Sequence, residues 1–184
     1  MSYRNGTYIA FHANSTTEPT ESDMKYYNLL KAWKVRDDDD FSFANSHEKT
    51  AAVRDSSMRQ TLRERLVTRL RNSKHVLLII GKTTKEDTDW IPFEIQYAID
   101  TCQLPIIAAY TTTDQPIRQP RNLSSLWPAA LSKRIEDGTA GVIHIPFKKA
   151  PIRDAISQFG PSKFPNDGGL GYYSDDAYRS FGML

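Results

Sequence analysis

Apolar positions along this chain fall into short runs separated by segments with helical spacing. "TYIAFHA" (7–13) reads as a first strand and "DFSFANS" (40–46) as a short second one. "HVLLIIG" (75–81) and "LPIIAAY" (104–110) are apolar almost without a break, the pattern of strands buried on both faces. "GVIHIPF" (141–147) is the last of the series. Between the runs, apolar residues recur three and four apart. In 23–35 they are Tyr26, Leu29, Leu30 and Trp33, with Asp23 placed to cap the helix. In 56–72, Met58, Leu62, Leu66 and Leu70 form one stripe. Arg59, Arg63, Arg65, Arg69 and Arg71 occupy the other faces of that helix. Residues 90–102, 122–135 and 151–160 complete the helices. Pro128 starts or kinks the second of these, and in the third Pro151 sits near N1 and Gly160 at C′.

Strand and helix thus alternate through about five units. This predicts an α/β fold, a parallel sheet of about five strands with helices on both faces. Ligands of such sheets bind beyond the carboxyl ends of the strands, which directs attention to loops 12–22, 46–55 and 81–89. Residues 161–184 break the alternation. They are rich in Gly, Pro and Asp, yet carry Phe164, Tyr172, Tyr173, Tyr178 and Phe181. Disordered tails are poor in aromatics, so the pattern leaves two readings open, a tail that docks on its own domain or on a partner and one that does not dock. The division expected is a domain over 1–160 and a tail over 161–184.

Composition narrows the function without naming it. The 184 residues carry 24 basic and 22 acidic side chains, a net charge of +2. That balance gives no global reason to expect nucleic acid or an anionic membrane as partner. No apolar stretch is long enough to span a bilayer, and the N-terminus has no secretory pattern. The single cysteine, Cys102, fits a reducing compartment, so the expected location is the cytoplasm. The four histidines are scattered and "HE" at 47–48 lacks ligand spacing, so no metal is expected.

One carboxylate stands out. In "DTDWIPFEIQYAID" (87–100), Ile91, Ile95, Ala98 and Cys102 share one helical face, while Gln96 and Asp100 lie opposite. Asp89 or Thr88 is placed to cap the helix. Glu94 falls beside the apolar face, one turn after Trp90 and one turn before Tyr97 and Ala98. The pattern favours a boundary residue that reaches water or pairs with an arginine. It leaves open a carboxylate held in a cleft at the strand ends.

These pieces together resemble the Toll/interleukin-1 receptor (TIR) domain family, a flavodoxin-like fold. The resemblance rests on the strand "YIAFHA", the strand and turn "HVLLIIGKTT", the helix "WIPFEI" and the strand "LPIIAAY". The "GKTT…W…EI" phrasing and the "NSH" after the second strand are similar to its TIR-like branch, the ThsB proteins of the Thoeris antiphage defence system. The loop "NSHEKTAAVRDSS" departs from animal TIR domains, which weighs against adaptor signalling of their type.

In enzymatic TIR domains the glutamate four residues after that tryptophan is catalytic, and it maps onto Glu94. The resemblance implies NAD⁺ as substrate, with no separate cofactor. The nicotinamide–ribose bond is cleaved and the product closed into a cyclic ADP-ribose isomer, a diffusible messenger that activates an effector protein. A single carboxylate suffices, because nicotinamide leaves as a neutral molecule and needs no general acid. Trp90 could wall the pocket. The same sheet edge offers Phe11, His12, Asn14, Asn45, Ser46, Thr83 and Thr84 as candidate substrate contacts, although hydroxyls and amides there also serve turns and caps. The alternative is a non-catalytic TIR interaction domain, with the arginine helix and the aromatic tail as self-assembly surfaces. A phosphoacceptor domain would need an aspartate at the end of the third strand, and "LLIIGKTT" has none.

Overall fold

The computed structural model describes residues 4–13, 23–37, 43–44 and 56–184. Five strands pair in parallel throughout: β1 (Gly6–Ala10), β2 (Phe43–Ala44), β3 (Ser73–Ile80), β4 (Ile106–Tyr110) and β5 (Val142–Pro146). Their order, β2-β1-β3-β4-β5, is the flavodoxin-like one. From β1 the chain steps one way to β2, then returns to place β3 on the other side. The switch point therefore lies between β1 and β3, where a parallel sheet offers a crevice.

Among the described residues six α-helices flank the sheet: α1 (Met24–Asp37), α2 (Ser56–Arg71), α3 (Trp90–Gln96), α4 (Ala129–Glu136), α5 (Lys149–Gln158) and α6 (Asp175–Ser180). Alternation along β3 sorts them into two layers. Val76, Leu78 and Ile80 join Leu62, Leu66 and Leu70 of α2, Ile91 and Ile95 of α3, and Leu131 and Ile135 of α4. Leu77 and Ile79 join Tyr27 and Leu30 of α1, Ile152 and Ile156 of α5, and Tyr178 of α6. β3 is buried from both sides, as its unbroken apolar run requires.

Several local features sharpen the sequence reading. Met58 is 46 % exposed, so the buried stripe of α2 starts at Leu62. Pro128 precedes α4 as its N-cap, after a 3₁₀ turn over Pro120–Leu126. Gly160 follows an extended Phe159 and bridges Lys163 rather than turning the chain left-handed.

Residues 161–184 lie against the sheet and its helices. The Gly171 N–H donates to the Val142 carbonyl at 3.0 Å, and its own carbonyl accepts from the His144 N–H at 2.8 Å. This short pairing covers the outer edge of β5, which would otherwise be open. Tyr178 is wholly buried, its hydroxyl 3.2 Å from the Ile117 N–H. His144 donates from Nε2 to the Gly169 carbonyl, because a carbonyl can only accept. Its Nδ1 is thus left to accept from the Tyr110 hydroxyl, which in turn accepts from Trp127 Nε1.

Candidate functional site

Glu94 lies deeper than the helical pattern implied. It is fully buried, facing the sheet rather than the border of the core. The Tyr8 hydroxyl donates to its Oε1 at 2.5 Å, and Tyr8 is fully buried too. Tyr8 sits in the middle of β1, and this hydrogen bond joins the strand to α3. Burial pushes the Tyr8 phenol up, and the neighbouring Glu94 charge pushes it further, so the proton stays on the phenol. Tyr8 is also paired in register with Ala44 of β2. Sequence reasoning missed Tyr8. The available signal was a hydroxyl on an inward strand position, which demands a buried partner.

The start of α3 is built differently from expectation. Neither Thr88 nor Asp89 supplies a side-chain cap. Asp87 does, its Oδ1 accepting from the backbone N–H of both Asp89 and Trp90 at 2.9 Å. After Gln96 the helix widens into a π turn over Tyr97–Thr101. Such turns hold one residue more per turn and are frequent beside functional residues. Ile91, Ile95, Ala98 and Cys102 are buried on one face and Gln96 and Asp100 are exposed, as the spacing predicts. Burial pushes the Cys102 thiol up, away from its reactive thiolate form.

A second cluster occupies the switch point. The Thr84 hydroxyl accepts from the Gly81 N–H at 2.7 Å and donates to Asp23 Oδ2 at 3.0 Å. This ties the turn after β3 to the start of α1. Gly81 is required by close approach, because a Cβ there would lie 2.4 Å from Asp23 Oδ1. Burial pushes the Asp23 carboxyl up, against the opposing pull of Thr84 and His12. His12 Nδ1 lies 3.3 Å from the Thr83 hydroxyl, so His12 and Thr83 meet across the crevice, both half-buried.

The outer side of α3 faces α2 in a ladder of arginines and rings. Arg59 lies over Trp90, Arg63 over Phe93 and Arg71 over Tyr97, at 5.4, 4.6 and 5.8 Å from the ring centres. Arg59 also pairs with Asp89, and Arg71 Nε donates to the Tyr97 hydroxyl at 2.9 Å.

The structure thus divides the sequence-predicted residues. Glu94 and Trp90 share α3, one inside and one half-buried at its outer edge. His12 and Thr83 sit together at the crevice. Thr84 is buried in the latch to Asp23. Phe11 is packed on the opposite face of the sheet from Glu94, stacked on Tyr27. Asn14, Asn45 and Ser46 lie outside the described residues. Among the described residues no group of three or more His, Cys, Asp or Glu is arranged to hold a metal ion.

A family model described as "Thoeris protein ThsB, TIR-like domain" matches residues 8–116, more than half of the chain. The chain belongs to this family. The match begins at Tyr8 and includes Glu94, so it spans both halves of the buried pair. The ThsB TIR-like match ends after β4, so β5, α5 and the segment around α6 lie beyond it. No helix among the described residues is long and apolar enough to cross a membrane.

Proposed function

We propose that this ThsB-type chain consumes NAD⁺ in antiphage defence. It breaks the bond between nicotinamide and ribose and closes the product into a cyclic ADP-ribose isomer, the messenger for a separate effector. The observation that carries this reading is Glu94: a fully buried carboxylate, held by Tyr8, on the helix opened by Trp90 in a chain of this family.

As the C1′–N bond breaks, its electron pair moves onto the cationic pyridinium nitrogen, and nicotinamide leaves neutral. The ribosyl group gains positive charge. A carboxylate in a dry site stabilises that charge far more than one in water. Tyr8 fixes one oxygen of Glu94, so the carboxylate is oriented before substrate arrives. Trp90, His12 and Thr83 then line the approach, with Asn14, Asn45 and Ser46 as further contacts. Thr84 and Phe11 act by holding the crevice in shape. A nucleophile within the same molecule bonds to C1′ when water is excluded; water itself would give open ADP-ribose.

Full burial has a cost. The carboxylate is shut off from water, so turnover needs a rearrangement that uncovers it, and the resting chain is expected to be nearly silent. The test is to supply NAD⁺ to the chain isolated from infected and uninfected cells, beside Glu94→Gln, and to identify products by mass spectrometry. A cyclic product from the infected sample alone, abolished in the variant, is the expected result. Equal product from Glu94→Gln would end the proposal.

A further inference from the structure

The mechanism above uses Glu94 on the inner side of α3 and, of its outer side, Trp90 alone. There, α2 and α3 enclose a groove of about 670 Å³, a volume typical of small-ligand sites. Its walls include Arg59, Arg63 and Arg71 on α2, and Trp90 and Phe93 on α3. Glu94 does not line it. We propose that this groove is a binding site for a ligand carrying a chain of phosphates.

Three observations support that ligand class. First, the cations outnumber their partners. Asp89 is taken by Arg59, and the other carboxylate of the groove, Glu64, accepts from Gln60. Among the described residues Arg63 and Arg71 have ring partners and no carboxylate partner. Second, the guanidiniums are already oriented. Each lies over an aromatic ring, which holds the group in place and leaves N–H donors at its edge for oxygen acceptors. Third, the spacing suits a repeating anion. Arg59 and Arg63 are one helical turn apart, roughly 6 Å, and Arg71 lies roughly 12 Å further along. Each phosphate accepts bidentately from a guanidinium, and a linked chain repeats that acceptor group along its length.

Affinity should therefore rise with the number of linked phosphates. The test titrates the full chain with phosphate, pyrophosphate, tripolyphosphate and ATP, following Trp90 fluorescence, with Trp90→Phe to assign the signal. Sulfate serves as the plain-anion control. Tripolyphosphate should bind more tightly than pyrophosphate, and pyrophosphate more tightly than phosphate. Arg63→Ala should weaken tripolyphosphate binding about tenfold. Arg63→Lys, which keeps the charge and removes the fork, should recover only part of it. Arg179→Ala, in α6 and away from the groove, should change nothing.

Sulfate binding as tightly as tripolyphosphate would reduce the effect to charge screening and overturn the proposal. So would unchanged binding in both Arg63 variants. Tighter binding of a single-stranded oligonucleotide than of a phosphate chain of equal charge would replace this ligand class with nucleic acid. None of these readouts depends on NAD⁺ turnover, so the groove and the Glu94 chemistry stand or fall separately.

Discussion

At the residue scale the decisive pair is Tyr8 and Glu94. A buried carboxylate deprived of a donor takes up a proton more readily. Tyr8→Phe should therefore shift the acid limb of the pH–rate profile to higher pH and lower kcat more than it raises KM. A purely structural Tyr8 would lower stability and leave the profile in place. Removing the hydroxyl should also cost about 1–3 kcal/mol in urea unfolding, because the carboxylate keeps its burial and loses one of its hydrogen bonds. Glu94→Gln retains the shape of the side chain. It should fold with a melting temperature near that of the parent and lose product formation altogether.

At the scale of elements, the strands and the main helices were legible because their signals are local. β3 and β4 announce themselves as apolar runs, and α2 as a stripe of leucines. The depth of Glu94 was not legible, because it depends on where α3 crosses β1, and no periodicity encodes a crossing. The π turn was hidden for a related reason: a helix with one extra residue per turn has no composition of its own. The cap lies at Asp87, one residue before Thr88 and two before Asp89, since Asp87 and Asp89 are chemically equivalent and only geometry separates them. The Asp23–Thr84 latch joins residues 61 positions apart, beyond any short-range pattern. It still makes a checkable statement. Gly81→Ala should destabilise the chain by roughly 1–3 kcal/mol through its clash with Asp23. Adding Asp23→Ala should cost less than the two single changes summed, because removing the carboxylate removes the clash.

At the scale of the whole molecule, two buried histidines set the response to acid. His75 gives its Nδ1 proton to the Phe159 carbonyl and accepts from Thr7. His144, on the edge strand β5, lies between Tyr110 and Gly169. Burial lowers both from the ordinary 6.5 to about 4. Their folded values lie below their unfolded ones, so the stability they contribute is fully present above pH 6.5. It is lost as pH falls towards 4, where the unfolded chain gains protons that the folded chain cannot accept. Urea midpoints measured from pH 7.5 to 4 should fall steeply across that window, and less steeply in His144→Gln.

The pairing of Gly171 with β5 has a further consequence. A Cβ at this position would lie 2.7 Å from two carbonyl oxygens, Asn166 and Val142, so the strand edge is sealed only because a side chain is missing. Gly171→Ala would lift that seal and expose β5 to the same edge on another copy. The effect would show in storage before it showed in any assay: clear at low concentration, the protein would turn turbid as stocks were concentrated. Shelf life, for this molecule, is written at one position that carries no side chain.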